Sequence, residues 1–130
     1  MSEIMVPVSP GEVIDKITIL RIKSARMTDA EKIANVRREL HLLEKTWAES
    51  PYGQHDIATH QEALQAVNER LWDIEDRIRD QERIAAFDAT FISLARSVYI
   101  ENDERAVIKK RINVALGSTI VEEKSYAAYR

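Results

Sequence analysis

Cysteine is absent from this chain of 130 residues, and glycine and proline occur only three times each. Without cysteine there is no disulfide framework, no thiolate nucleophile and no cysteine-ligated zinc. The scarcity of glycine leaves little material for a phosphate-binding loop, and no dinucleotide fingerprint or GxSxG motif occurs. These absences disfavour an enzyme with a conventional nucleophile and a protein with a conventional nucleotide-binding site. The lack of cysteine also favours a reducing, cytoplasmic setting.

An excess of positive charge and a long apolar run are lacking as well. The net charge is −3 at pH 7, which removes the usual electrostatic argument for nucleic-acid binding. No run approaches the roughly 18 apolar residues that a membrane span requires. The opening segment MSEIMVPVSPGE carries an early glutamate and no basic start, so it does not predict a signal peptide. We therefore expect no nucleic-acid partner and no membrane span.

Charged residues and apolar residues are both abundant in the chain. Charged residues make up 32% and apolar residues 45%, and with so few glycines and prolines this balance favours long, solvent-washed helices over a sheet. The length suits one domain with a single core. We predict an all-α helical bundle over residues 1–130, with an extended arm at 1–9, where Pro7 disfavours helix, and a C-terminal tail at 118–130.

Capping signals divide the chain into helices. The sequence SPGE opens the first helix, because Ser9 can cap it, Pro10 suits its first position and Glu12 stands where a capping box needs a carboxylate. A second capping box, TDAE, ends that helix near Met27. The sequence ENDE predicts a break at 101–104, because asparagine and aspartate are good caps and poor helix-interior residues. The remaining predicted helices cover 29–49, 57–86, 88–100 and 103–116, with Gly117 as the final stop.

The second and third predicted helices each carry a coiled-coil seam, in which apolar residues recur at alternating spacings of three and four. The seam residues are Ile33, Val36, Leu40, Leu43 and Trp47 in the second helix and Leu64, Val67, Leu71, Ile74 and Ile78 in the third. Because the short loop SPYGQHD joins the two, we predict an antiparallel helical hairpin. The surplus turns of the longer third helix and the apolar arm together predict a homodimer. The first helix is apolar on most sides, so we expect it to be central.

The three histidines do not form a metal-binding pattern. His41, His55 and His60 have gaps that place no two of them on one helical face, and neither HExxH nor a paired ExxH occurs. We expect no metal site and no cofactor.

Three charged residues fall on apolar faces of predicted helices, where an unpaired charge would be costly. Asp15 and Arg21 lie among the isoleucines of the first helix, and Arg105 lies in the apolar stripe of the last. One interpretation is an internal ion pair of Asp15 with Arg105, with Arg96 as the alternative partner. The other is a pocket for an anionic group. Its candidate residues are Arg96, Tyr99, Asn102, Arg105 and Lys109.

Four segments that together cover nearly the whole chain resemble a bacterial family of unknown function. They are VPVSPGEVIDKITILRIK, NERLWDIEDRIRDQE, FISLARSVYIENDERAVIKKRIN and GSTIVEEKSY. Sequences related to that family occur near or fused to proteins of cell-surface polysaccharide and lipopolysaccharide assembly, including glycosyltransferases. The resemblance implies a role accessory to envelope glycan biosynthesis, with a glycosyltransferase or another envelope-assembly protein as partner. It brings no catalytic residues.

A shorter segment, VIDKITILRIKSAR, is similar to the opening helix of the all-α chorismate mutases. Those enzymes surround a dicarboxylate with arginines and lysines from several helices inside a dimer, but only this first stretch matches. Two hypotheses therefore stand. The favoured one is a non-enzymatic interaction or assembly protein. The alternative is a small-molecule enzyme or anion-binding protein that uses Arg96, Arg105 and Lys109, while RNA binding has only the basic cluster at 109–111 in its favour.

Overall fold

A computed structural model describes residues 2–129 and shows an all-α helical bundle, as predicted. Its four helices are α1 (Pro10–Arg26), α2 (Ala30–Glu49), α3 (Ala58–Arg83) and α4 (Ala89–Ala115). No strand occurs within the described range. No helix of that range is both long enough and apolar enough to cross a membrane.

The starts of the first two helices follow from local capping. The Ser9 hydroxyl accepts a hydrogen bond from the backbone N–H of Glu12 at 3.3 Å, with Pro10 in the first turn, as predicted. At α2 the cap is Asp29 and not Thr28, because the Asp29 carboxylate accepts from the N–H of Lys32 at 2.9 Å. The structure therefore confirms the first predicted cap and moves the second by one residue.

The predicted break at 101–104 is wrong, because α4 runs through it without interruption. The Asn102 side chain, which was expected to cap a new helix, donates instead to the carbonyl of Val98 one turn back, at 2.9 Å. Asp103 accepts from the tail residues Lys124, at 3.4 Å, and Tyr129, at 2.7 Å. The low helix propensity of asparagine and aspartate is a weak effect, and hydrogen bonds such as these can outweigh it.

The first helix is the central element, as predicted, because it alone closely approaches each of the other three within residues 2–129. The third helix packs on α4, and these two longest helices form the most extensive pairing. The hairpin differs in detail from the prediction, because α2 lies along α1 and makes no close backbone approach to α3 in the described chain. Seam residues of both α2 and α3 still meet in one core. That core comprises Ile14, Ile17, Ile57, Leu64, Val67, Leu71, Ile108 and Ile112, with Val13, Leu40, Leu43, Trp47 and Leu116 packed against it.

The N-terminal arm and the C-terminal tail differ in their contacts with the helices. Residues 2–8 lie outside the helices and are exposed. The tail starts at Gly117, whose φ of +66° suits a helix stop, and it turns back so that the N–H of Ser118 donates to the carbonyl of Asn113 at 2.9 Å. It then runs along α4, where Glu123 pairs with Lys110 at 3.3 Å. Among the described residues, the tail is therefore bonded to α4, whereas residues 2–8 form no hydrogen bond or ion pair with the bundle.

Candidate functional site

A buried polar cluster lies where α1, α3 and α4 meet. Asp15, Thr18 and Asn68 are at most 5% exposed. The side-chain amide of Asn68 donates to Asp15 Oδ1 and to Thr18 Oγ1, both at 2.9 Å. The Thr18 hydroxyl in turn donates to the backbone carbonyl of Asp15 at 2.8 Å. These bonds tie α1 to α3 and satisfy groups that would be costly to bury without partners.

The positive charges of the cluster come from α4. Lys109 is 7% exposed. Its Nζ lies 2.7 Å from Glu12 Oε2, 3.0 Å from Glu122 Oε2 and 3.8 Å from Asp15 Oδ2. The Nε of Arg105 lies 3.9 Å from Asp15 Oδ2, with its side chain 32% exposed. Asp15 thus faces two cations, and Lys109 is compensated by carboxylates of the same chain.

A close backbone approach fixes the start of α1 against α4. The N–H of Gly11 donates to Asn113 Oδ1 at 2.7 Å. A Cβ atom on Gly11 would lie 2.6 Å from the backbone carbonyl oxygen of Lys109, so only glycine permits this approach without a shift. The contact holds Glu12, the next residue, within hydrogen-bond distance of the Lys109 ammonium.

Burial and pairing act in opposite directions on two pKa values of the cluster. Burial raises the pKa of Glu12, but the hydrogen bond from Lys109 and the charges of Lys109, Lys16 and Arg105 leave it below its usual 4.5. Burial lowers the pKa of Lys109, but hydrogen bonds to Glu12 and Glu122 and the charges of Asp15 and Glu12 leave it above its usual 10.5. Both groups are therefore charged at neutral pH.

Only part of the predicted anion-binding set comes together. Arg105 and Lys109 both approach Asp15. Arg96 is exposed, and because it precedes Arg105 by nine residues, or about two and a half turns, it lies on the opposite side of α4. Arg96 therefore does not join the cluster.

The other two predicted residues have partners of their own. The Tyr99 ring stacks on Tyr129 with 4.8 Å between centroids. Asn102, besides its bond to Val98, lines a groove of about 420 Å³ between α1, α3 and α4, which Arg105 and Lys23 also line. Asn102 and Arg105 thus share a solvent-accessible surface, whereas Tyr99 lies elsewhere on the helix.

The interpretation of Arg21 as a charge on a buried face is wrong. Arg21 is exposed, and its guanidinium pairs with Glu44 of α2 at 3.2 Å. The reason is that α2 meets this edge of α1 with a carboxylate and not with an apolar side chain.

Five residues of the cluster escaped the sequence reasoning. Asn68 and Asn113 each follow an apolar core residue directly in the sequence. The one available signal was therefore that the buried face of each helix extends beyond its apolar residues. Glu12 was interpreted only as a cap, and nothing local in the sequence distinguishes Glu122 of the tail. The residues missed are Glu12, Thr18, Asn68, Asn113 and Glu122.

A larger groove, of about 790 Å³, lies between α4 and the tail. Three of the four tyrosines of the chain line it: Tyr99, Tyr126 and Tyr129. Its charged residues include two ion pairs, Arg70 with Glu101 at 3.0 Å and Lys124 with Asp103 at 3.4 Å. We call this feature the tail groove.

Within residues 2–129, no group of three or more histidine, cysteine, aspartate or glutamate side chains is arranged to hold a metal ion. The geometry defines a four-helix all-α protein with an internally paired polar cluster, beside which lie the groove between α1, α3 and α4 and the tail groove. The chain belongs to a family of unknown function, DUF6165, which matches residues 4–129. No curated protein and no solved structure gives a significant match. The family match assigns no activity, substrate or partner.

Proposed function

We propose that this protein is an interaction domain that works through its surface and has no catalytic centre of its own. The observation that carries the proposal is the pairing of the buried cation Lys109. Lys109 is surrounded by Glu12, Asp15 and Glu122, so its charge serves to hold the helices together. A side chain that acts on a substrate must be able to contact it, and the Lys109 ammonium is instead paired within the chain.

The exposed apolar side chains support the same proposal. On the arm, Ile4 is 87% and Met5 84% exposed, and around the α3–α4 turn Ile84, Phe87 and Ile92 are all more than half exposed. Grouped apolar side chains on a protein surface mark contacts with other proteins. The first partner that we propose is a second copy of this chain.

The wider role that we propose is accessory to envelope glycan biosynthesis in the bacterial cytoplasm. A glycosyltransferase or another envelope-assembly protein would be the further partner. Support for this context comes from the sequence resemblance alone, whereas the exposed apolar surface supports the interaction role independently.

A second candidate function is the binding of an anionic small molecule in the groove between α1, α3 and α4. The favouring observation is that Lys23, Asn102 and Arg105 line this groove together. Arg105 has five guanidinium donors, and the one ion pair that it forms within residues 2–129, at 3.9 Å, leaves donors for a carboxylate. A chorismate-like dicarboxylate is the chemistry that such a site would take.

Thermal unfolding in the presence of candidate ligands separates the two functions. Chorismate, other acidic metabolites and nucleotide sugars at millimolar concentration should leave the Tm unchanged if the chain is an interaction domain. A ligand that binds the folded state raises the Tm by mass action. A rise that Arg105→Met abolishes would establish the anion-binding alternative.

Light scattering at micromolar concentration tests the proposed homodimer directly. We expect twice the chain mass of 14.9 kDa. A mass equal to that of one chain would contradict the homodimer.

A further inference from the structure

Residues 119–129 of the tail are attached to α4 chiefly through charged side chains. All of these residues are exposed, and within the described range no backbone hydrogen bond joins them to the helices. The ion pairs that hold them are Glu122 with Lys109 at 3.0 Å, Glu123 with Lys110 at 3.3 Å and Lys124 with Asp103 at 3.4 Å. The tail side chains of these pairs are 59%, 71% and 35% exposed, and ion pairs open to water are weak and screened by salt. The tail can therefore leave α4 without opening the core.

The buried polar cluster carries one cation more than the helices can balance. Its cations are Lys16, Arg105 and Lys109, and its helix-borne carboxylates are Glu12 and Asp15. The third carboxylate is that of Glu122, which belongs to the tail. The helices by themselves thus leave one positive charge uncompensated at the place where the tail lies.

Lys110, the next residue of α4, depends on the tail in the same way. Its side chain is 51% exposed, and the ion pair that it forms within residues 2–129 is with Glu123. Two adjacent carboxylates of the tail therefore meet two adjacent lysines of the helix. Lys124 sets the register, because it reaches Asp103, about two turns nearer to the start of α4.

We infer that Lys109 and Lys110 form a docking site for an acidic segment of a partner protein, and that the tail of the chain covers this site until the partner displaces it. The inference rests on the proposed interaction role and names the chemistry of the partner. The segment that fits carries two adjacent acidic residues followed by a basic one. This is the order in which Glu122, Glu123 and Lys124 meet α4.

The two lysines contribute to the site in different ways. The ammonium of Lys109 is held by Glu12 and Asp15 whether or not the tail is in place, so an incoming carboxylate meets a cation that is already oriented. Groups that are fixed before binding lose less conformational entropy when a partner arrives. Lys110 is half-exposed and can attract an acidic segment from solution.

A free acidic segment fits this site better than a second copy of the chain does. The tail of a second copy is already held on its own α4, and an exchange of tails leaves the number of ion pairs unchanged. A partner with a free segment gains these contacts. The proposed homodimer is supported instead by the apolar side chains of the arm and of the α3–α4 turn, so the two proposals are independent.

Fluorescence anisotropy with a labelled peptide of residues 118–129, STIVEEKSYAAY, tests the site. The full-length variant Glu122→Gln/Glu123→Gln weakens the hold of the tail without touching a buried residue. We expect the peptide Kd to be at least about tenfold lower for this variant than for wild type, because the tethered tail competes in wild type. The control Glu39→Gln/Glu49→Gln makes the same change of net charge on exposed residues of α2 and should keep the wild-type Kd.

Two changes of charge order test recognition of the segment. A peptide with Glu122 and Lys124 interchanged has the same composition and net charge, and it should bind the double variant at least about tenfold more weakly. Addition of Lys110→Glu to the double variant should weaken the natural peptide. A peptide with Glu123→Lys should then recover the lost affinity, because the ion pair is restored with its signs reversed.

The outcomes that overturn the site differ from those that overturn the proposed function. An equal peptide Kd for wild type and the double variant overturns the tail as a cover, and equal binding of the natural and interchanged peptides overturns recognition of the charge order. Absence of peptide binding to the double variant removes the site and leaves the homodimer to be decided by light scattering. A metabolite that raises the Tm through Arg105 overturns the proposed function and leaves the peptide result unaffected.

Discussion

Lys109 is the residue on which the polar interior converges. It lies on the last helix, yet it meets Glu12 and Asp15 of the first helix and Glu122 of the tail. Asp15 does not depend on Lys109 alone. It is also paired with Arg105, and it accepts a hydrogen bond from Asn68. Removal of Lys109 would leave two helix-borne carboxylates facing each other, whereas removal of Arg105 would leave Asp15 with its other partners.

We predict that Lys109→Met lowers the free energy of unfolding by about 1.5–3 kcal/mol, because it removes one cation from the buried Asp15 and the charged hydrogen-bond donor of Glu12. Arg105→Met should cost no more than about 1 kcal/mol, since its side chain is 32% exposed and its ion pair spans 3.9 Å. Urea unfolding of the two variants measures both values. Equal losses would contradict this ranking.

Double-mutant cycles with Asp15 extend the same test to pairwise coupling. Asp15→Leu combined with Lys109→Met, and Asp15→Leu combined with Arg105→Met, should each cost less than the sum of the single changes, because no charge is left without its mate. We expect coupling above about 0.5 kcal/mol in the first cycle. Strict additivity in both cycles would refute Asp15 as the shared partner.

The pKa shifts predict where the cluster loses stability with pH. The pKa of Glu12 is lower in the folded chain than its usual 4.5, so its contribution is complete above pH 4.5 and is lost as pH falls through the folded value. The pKa of Lys109 is raised above 10.5, so its contribution is complete below pH 10.5 and is lost as pH rises through the folded value. Urea unfolding of wild type and Glu12→Gln between pH 3 and 7 should therefore converge on the acidic side. A constant difference over this range would contradict the assignment.

At the scale of the element, α2 and α3 use their predicted seams unequally. In α3, Leu64, Val67 and Leu71 are all buried, whereas in α2 only Val36 is. The periodicity predicted both seams, but how deeply each is buried depends on the neighbours. The central helix α1 packs on both, while α3 also packs along α4.

Leucine truncation tests this inequality with a matched pair. Leu71→Ala should lower the free energy of unfolding by about 2–5 kcal/mol, because Leu71 is 8% exposed in the core. Leu42→Ala, on the outer side of α2 and 47% exposed, should change it by less than about 0.5 kcal/mol. The thermal midpoints of both variants decide the question. An unmoved midpoint for Leu71→Ala would mean that this seam does not face the core.

At the scale of the whole molecule, α1 organises the bundle. Eight of its residues are buried, and it approaches all three other helices, whereas α2 approaches α1 alone within the described chain. A helix with few buried contacts opens locally at a lower free energy than the core. We therefore expect α2 to open locally at a lower free energy than the other helices.

Amide hydrogen exchange checks this order. We predict that amides in the middle of α1 exchange only through global unfolding, while those of α2 exchange faster through local opening. Peptide-resolved mass spectrometry separates the two helices. Equal protection of α1 and α2 would show that the bundle unfolds as one unit and that α2 is held by contacts beyond α1.

The sequence by itself determined the features that depend on residues close together in the chain. Ser9 caps α1 through a residue three positions away, and Gly117 ends α4 through its own backbone conformation. The apolar periodicity that placed α1 at the centre and put Leu64, Val67 and Leu71 in the core is likewise local, because it repeats within a few turns.

Only the tertiary structure decided the features that depend on residues far apart. Tail residues bind Asp103 within α4, at the predicted break, and the pairing of Lys109 with Glu12 joins positions 97 residues apart. Arg21 and Asp15 show the same dependence, since both lie on one helix among isoleucines and yet only Asp15 is buried. Local pattern fixes which face of a helix is apolar. Whether a charge on that face meets a carboxylate, an amide or solvent is set by the helix that packs against it.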